Sequence, residues 1–289
     1  MKPAPFVYHA PQTVDEALDL LAEVGDRGRL LAGGQSLVPL LNMRLARPEV
    51  VIDLNRIGAL AGVSQPSPEA ISIGAMTRQR VLETDPLIQS RLGILAQAAG
   101  HIAHVAIRTR GTVGGSLAHA DPAAELPAMM LLLEAEMVTA GSGGRSRRIP
   151  ADQFFLGPWT TALATDEMLV AVEIRPPTAH TAFAEFAKVN GAFALVGAGA
   201  VVEVTNDGRI GSARIAFCGL SSTPRLFAAP DDLVFGRRLD DNLAGDVARA
   251  VEQWAEPVGD IHARPDYRRR VAGVLTRRVL AAALEEPAA

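Results

Sequence analysis

Two double-glycine turns, Gly33-Gly34 and Gly114-Gly115, constrain the chain more than any other feature, and they lie about eighty residues apart. Each stands between an apolar run and a helix-like pattern. Glycine lets a backbone take positive φ and come close to a ligand, and hydroxyls beside freed amides complete a cradle for an anion. In the first turn, Gly33-Gly34-Gln35-Ser36, backbone donors are joined by the Ser36 hydroxyl and the Gln35 amide. In the second, Thr112 and Ser116 flank the glycines, and Asp121-Pro122-Ala123-Ala124-Glu125 follows as a helix start. There Asp121 stands as N-cap, Pro122 in the first turn and Glu125 three residues after the cap. The unpaired amides of such a start suit phosphate. One double glycine alone is better read as a tight turn; two with flanking hydroxyls and helices point to a pyrophosphate gripped by both. Neither has the G-x-G-x-x-G spacing of a dinucleotide fold or the lysine of a P-loop.

At 289 residues, 48% of them hydrophobic, the chain can bury a large core and divide into two domains. A net charge of −4 with scattered arginines argues against a nucleic-acid partner, which needs a clustered basic face. The single cysteine, Cys218, excludes an internal disulfide, a cysteine-built zinc site and an iron–sulfur cluster of the chain's own. In the run Ile215-Ala216-Phe217-Cys218 it reads as strand packing. No apolar run reaches the length of a membrane span, and the start Met1-Lys2-Pro3-Ala4-Pro5 lacks the apolar core of a secretion signal, so a cytoplasmic protein is expected.

His101, His104 and His119 flank the second turn without a metal-ligand register, which assigns them packing or positioning roles. No G-x-S-x-G elbow supports a hydrolase. Glu125 has two readings that need not exclude each other: it closes a capping box, or its carboxylate accepts hydrogen bonds from a ribose. With no reactive cysteine, metal cluster or evident acid pair, demanding chemistry would come from a cofactor.

Strands and helices alternate up to about residue 176. Thr13-Val14-Asp15-Glu16 opens a helix over about 14–24, and strands are expected near 29–32, 49–54, 70–75 and 136–140. Helices are expected to start near Leu37, over about 86–99 after Asp85-Pro86, and over 122–134, with an exposed loop at 141–144. Pro176-Pro177 stops both helix and sheet and divides the chain into residues 1–176 and 177–289. Beyond it, 182–189, 194–205 and 209–220 read as three antiparallel strands, the last two joined by Asn206-Asp207-Gly208. Helices follow over 243–254 and about 267–279.

Three segments in this order and spacing give the chain a resemblance over essentially its whole length. They are Ala32-Gly33-Gly34-Gln35-Ser36-Leu37-Val38-Pro39-Leu40; Thr112-Val113-Gly114-Gly115-Ser116-Leu117-Ala118 with Asp121-Pro122-Ala123-Ala124-Glu125; and Tyr267-Arg268-Arg269 with Ala272-Gly273-Val274-Leu275 and Arg277-Arg278. The chain resembles the FAD-binding medium subunit of the molybdenum hydroxylases, the group of carbon monoxide dehydrogenase and xanthine dehydrogenase. The resemblance implies an α+β fold: a two-part FAD domain of the vanillyl-alcohol oxidase-like type, then a C-terminal domain with a three-stranded antiparallel sheet and helices. It implies that Ala32, Gly33, Gly34, Gln35, Ser36 and Leu37, with Thr112, Gly114, Gly115 and Ser116, hold the FAD pyrophosphate, and that Glu125 binds the adenosine side. By the same resemblance Leu169, Lys188 and Phe193 lie at the cofactor.

The run Lys188-Val189-Asn190-Gly191-Ala192-Phe193-Ala194 stands where relatives have Gly-Asp-aromatic-Ala after a basic residue, so Ala192 replaces an acid; Gln35 replaces a common histidine. The implied partners are a small subunit with two [2Fe–2S] clusters and a large subunit with the molybdenum–molybdopterin cofactor, in a heterotrimer or a dimer of heterotrimers. The implied function is electron transfer through FAD to an external acceptor. A self-sufficient FAD oxidase with its own substrate pocket, and a flavin-free scaffold, are the competing readings.

Overall fold

The computed structural model describes residues 2–285. Near the N-terminus β1 (Val7–His9), β2 (Gly28–Leu31) and β3 (Val50–Asp53) form a parallel sheet in the order β1-β3-β2. Such pairing needs a crossover, and the helix Val14–Val24 provides it, burying Ala17, Leu18, Leu21 and Val24 at helical spacing. Its start follows the T-x-x-E pattern: Thr13 Oγ1 accepts from the Glu16 amide at 3.2 Å, and the Glu16 carboxylate reaches back to the Gln12 amide at 2.7 Å.

A second sheet is antiparallel. It is built from β4 (Val63–Ser67), β5 (Ala70–Gly74), β6 (Glu136–Gly141), β7 (Arg145–Pro150) and, after the small hairpin of β8 (Phe155–Gly157) and β9 (Thr160–Thr161), β10 (Glu167–Ile174). The spatial order is β4-β5-β10-β6-β7. These two sheets are the two parts of the first half of the chain, and the helix Val14–Val24 shares one core with Ile52 of β3 and Met168 of β10.

Two expected helices differ. The 86–99 pattern is two helices, Pro86–Arg91 and Gly93–His101, because Leu92 leaves helical geometry at φ −136° and ψ 44°. The 122–134 helix runs only from Glu125 to Leu132. Asp121 does not cap it: its carboxylate accepts from the Ala123 amide at 2.9 Å and its carbonyl from the Ala124 amide at 3.0 Å, which closes a separate turn. The Pro122 carbonyl is meanwhile taken by the Gly219 amide at 2.7 Å, so the segment is pinned to the C-terminal half before the helix begins.

The C-terminal sheet is a meander of β11 (His180–Ala187), β12 (Ala194–Val204), β13 (Ile210–Cys218) and β14 (Arg225–Ala228). The α+β class holds, but the sheet has four strands and not three. Arg225–Ala228 is short and lies between Pro224 and Pro230, which hid it as a loop. One face packs against the helices Asp241–Trp254 and Pro265–Glu285. The other receives the helices Gly93–His101 and Glu125–Leu132, so the core of the antiparallel half continues into β11 and β13 through Phe183, Ala216 and Cys218. Gly199 permits this closeness, since a Cβ there would stand 3.1 Å from Met129 Sδ.

Candidate functional site

The first glycine turn keeps its amides free. Gly34 takes φ +74°, and the N–H groups of Gly33, Gly34, Gln35 and Ser36 have no partner among the described residues, nor does the Ser36 hydroxyl. The helix Leu37–Asn42 follows, so four successive amides stand at its mouth. Gln35 acts differently from expectation. Its side-chain Nε2 donates to the Gly33 carbonyl at 2.9 Å and holds the loop in shape.

The second turn is built for packing. Gly111, Gly114 and Gly115 are not at positive φ; Gly114 and Gly115 are inside the helix Val113–His119. Val113 N–H bonds the Thr77 carbonyl at 2.9 Å, Gly114 N–H the Ala75 carbonyl at 2.8 Å, and Gly115 N–H the Thr112 hydroxyl at 3.0 Å. The amides expected to be free beside these glycines are therefore taken, and Thr112 serves as N-cap. Side chains are excluded for lack of room: a Cβ on Gly114 would be 2.5 Å from Ala75 Cβ, and one on Gly115 2.6 Å from Thr112 Oγ1. Of the two flanking hydroxyls, that of Thr112 is taken and that of Ser116 has no partner among the described residues.

The two turns touch. A Cβ on Gly33 would collide with the Arg110 carbonyl oxygen and stand 2.7 Å from Gly111 Cα, and a Cβ on Gly115 would lie 3.3 Å from Ala32 Cβ. A polar clamp that the sequence did not reveal ties them together. Tyr8 donates to Asp53 at 2.6 Å; Asn55 Nδ2 donates to Asp53 and, at 2.8 Å, to the Ala32 carbonyl. Arg78 joins this chain to the other turn, giving 2.7 Å to Asn55 Oδ1 and 2.6 Å to the Arg110 carbonyl. Burial, with Arg110 close by, makes the Arg78 proton easier to lose than usual. The guanidinium nonetheless stays charged and adds positive potential behind the turns.

Between the turns opens a cleft of about 510 Å³. Ala32, Gly33, Gly34, Gln35, Ser36, Leu37, Thr112, Gly114, Gly115, Ser116 and Glu125 all line it, as do the buried Leu169 and the exposed Phe193. Lys188 is not among the lining residues; it lies exposed just beyond β11. Gln79, unforeseen from sequence, also lines the cleft: it is 6% exposed and its Oε1 has no hydrogen-bond partner among the described residues. A buried amide oxygen left so is costly unless a ligand donor meets it. The histidines do not gather. His101 packs edge-on against Phe183 at 5.4 Å, His104 lies against Gly191, and only His119 lines the cleft. No group of three or more metal-ligating side chains occurs among the described residues.

Glu125 opens its helix without closing a capping box, and is 6% exposed. Its neighbour is Glu185 on β11, whose carboxyl hydrogen-bonds it. Burial chiefly pushes Glu125 up to about 7, and burial plus the Glu125 charge pushes Glu185 up to about 8. Cys218 lies beside them across Gly197, and burial then the two carboxylates raise its thiol well above the usual range, so it is inert packing.

Free amides on one turn, a positive potential behind them, two free hydroxyls, an orphan amide oxygen and an acid further along fit a dinucleotide diphosphate. Two family profiles match the chain: one described as "FAD binding domain in molybdopterin dehydrogenase" over residues 4–178, the other as "CO dehydrogenase flavoprotein C-terminal domain" over residues 181–283. Among curated proteins, the 6-hydroxypseudooxynicotine dehydrogenase complex subunit alpha of Paenarthrobacter nicotinovorans is 40% identical, covering 98% of this chain and 96% of its own. The carbon monoxide dehydrogenase medium chain of Hydrogenophaga pseudoflava is 36% identical, with 98% of each chain covered. A solved structure of the Hydrogenophaga pseudoflava carbon monoxide dehydrogenase superposes with a TM-score of 0.93 at 36% identity over 99% of both chains. One of quinoline 2-oxidoreductase from Pseudomonas putida 86 does so at 0.92 and 39%, again over 99% of each. Full-length identity at this level, added to the touching turns, makes this chain a member of the FAD-binding medium-subunit family of the molybdenum hydroxylases, a flavoprotein component of an oxidoreductase.

Proposed function

We propose that the chain is the electron-transfer subunit of a heteromeric molybdenum-dependent hydroxylase, passing electrons received from [2Fe–2S] clusters of a small partner subunit through FAD to an external acceptor. A large subunit with the molybdopterin cofactor would oxidise the substrate. Bound FAD supplies one- and two-electron redox chemistry; this chain supplies its placement. The amides of Gly33 to Ser36, with the hydroxyls of Ser36 and Ser116, would hold the pyrophosphate. Gln79 Oε1 would accept from a cofactor hydroxyl, and Glu125 would accept from the adenosine ribose. Leu169 and Phe193 would flank the ring and exclude water. In the same reading, residues 1–176 are the FAD-binding domain and 177–289 the C-terminal domain.

The observation that carries this reading is the contact of the two glycine turns over one cleft, with four unpaired amides on one side. Against the self-sufficient oxidase stands the C-terminal sheet, whose two faces are both covered and which leaves only Gly191 and Phe193, from beyond Pro177, on the cleft wall. Relatives named for 6-hydroxypseudooxynicotine, caffeine and carbon monoxide are 36% to 40% identical to this chain, which supports placing the choice of substrate on another polypeptide. The test is an absorption spectrum and an affinity pull-down of the tagged full chain from its native host. Flavin bands with co-purified iron–sulfur and molybdopterin subunits are expected. A colourless chain, or a yellow chain that turns over substrate alone, overturns the proposal.

A further inference from the structure

A pair of raised carboxyls, Glu125 and Glu185, lies where the C-terminal sheet meets the cleft. Register places Glu185 of β11 opposite Gly197 of β12, and Gly197 opposite Cys218 of β13. Glu185 therefore shares a sheet face with Phe183, turned toward the first half of the chain, and meets Glu125 at the start of the helix Glu125–Leu132. Two carboxyls in one buried contact cannot both be ionised without large repulsion; one proton held between them turns the contact into a charge-assisted hydrogen bond. Nothing nearby relieves the repulsion otherwise. Asp121 adds negative potential, Cys218 is a neutral thiol, and His101 is kept from charging by burial and by Arg108. Among the described residues Arg108 is the cation that acts on Glu125, and its guanidinium is spent on Glu83, at 2.6 and 3.2 Å, and on the carbonyls of Ile102 and Ala103. Glu185 Oε2 is buried with no hydrogen-bond partner among the described residues.

We infer that Glu185 is a positioning residue: it donates a shared proton to Glu125 and so holds the Glu125 carboxylate in place for the adenosine ribose, making the C-terminal domain a determinant of FAD affinity. This rests on the cofactor reading above. Loss of the shared proton leaves two facing carboxylates, which swing apart and take the ribose acceptor with them. FAD should then bind with uptake of a proton at alkaline pH and dissociate more readily as pH rises.

The test is FAD titration of the flavin-stripped full chain by calorimetry at several pH values, in two buffers of different ionisation enthalpy. Affinity of the wild type is expected to fall by about tenfold between about pH 7 and about pH 9.5, with proton uptake at the upper end. Glu185→Gln, whose amide N–H donates to Glu125 at every pH, should bind as the wild type does near neutrality and lose both the pH slope and the proton uptake. If that variant fails to fold, Glu185→Met, which leaves Glu125 as the one ionisable group of the pair, should likewise lose the pH slope and the proton uptake, at a lower affinity because nothing then donates to Glu125. A wild type that binds at about pH 7 with no slope, or a variant that keeps the slope, overturns the shared proton alone. A wild type with no affinity for FAD at any pH overturns the cofactor reading instead.

Discussion

Gly33 and Arg110 come from two turns far apart in the chain, yet the Gly33 backbone lies so close to the Arg110 carbonyl that no side chain fits between them. The closeness is what makes one site of two turns. It also explains why Gly33 and Gly34 are not equivalent. Gly33 is needed for contact, whereas Gly34 is needed for its φ of +74°, with Val38 and Leu31 at 3.1 and 3.3 Å from a would-be Cβ.

Gly33→Ala should therefore push the turns apart and weaken FAD binding by roughly tenfold to a hundredfold, about 1.4–2.8 kcal/mol. Gly34→Ala should cost about 1–2 kcal/mol of backbone strain with a smaller effect on affinity. Fluorescence titration with FAD, beside thermal unfolding, distinguishes the two. Equal losses of affinity would show that contact between the turns is not what matters.

The clamp offers a sharper variant because it touches no ligand-facing amide. Arg78→Met keeps much of the side-chain volume but removes the bonds to Asn55 and to the Arg110 carbonyl. Loss of two charge-assisted hydrogen bonds should destabilise the chain by about 1.5–3 kcal/mol. A drop in FAD affinity should accompany it as the positive potential goes. Arg78→Lys should restore part of the affinity through charge but little of the stability, since one ammonium cannot span both acceptors in the same way. Denaturant unfolding and FAD titration of the two variants check this.

Much of this arrangement was legible in the sequence, and the failures have physical causes. The two turns, Thr13, Asp85 and the C-terminal meander announced themselves through local rules: turn glycines, caps, and alternation. The second turn was read as a phosphate cradle because glycine signals open backbone but not what occupies the opening; here Ala75 and Thr112 fill it. The strand β7 was missed because Arg145, Ser146, Arg147 and Arg148 face solvent at a sheet edge, where apolar alternation has nothing to bury against. Arg78 and Gln79, adjacent in the chain, and Asn55 reach the site from two segments with no motif in common. The pair Glu125 and Glu185 depends on docking one half of the chain on the other, which no local pattern encodes.

Acid should loosen the antiparallel sheet at a definite place. Glu167 accepts from Arg147 Nε and NH2 at 2.7 and 2.6 Å, from Thr139 at 2.5 Å and from the Ala164 amide at 3.0 Å. These bonds, that of Arg147 foremost, hold its carboxyl at about 2 against burial that acts the other way. A depressed folded value means stability present above the ordinary 4.5 and lost as pH falls from there through about 2. Glu167→Gln should remove about 1–3 kcal/mol near neutrality and flatten the acid limb of the thermal unfolding profile over that window. An acid limb of unchanged steepness in the variant would place the loss at other carboxylates.

Arg268 is where the third segment of the resemblance does its work, and its role is structural. It is 4% exposed, gives bonds to the carbonyls of Leu195 and Gly219, the latter at 2.5 Å, and pairs with Asp260 at 2.7 Å. The long C-terminal helix is thereby tied to the ends of two strands. Gly219 is also the residue whose amide holds the Pro122 carbonyl, so the tie continues to the turn just before Glu125. Arg268→Met should strand two buried carbonyls, leave the half-exposed Asp260 without its cation, and cost about 2–5 kcal/mol. Because the same residue steadies the approach to Glu125, FAD affinity should fall even under conditions where the variant is fully folded. Arg268→Lys, which can reach one carbonyl but not both with Asp260, should fall between the two. Chemical denaturation gives the first quantity and FAD titration at low temperature the second; a variant that is destabilised yet binds FAD with unchanged affinity would separate the helix anchor from the cleft.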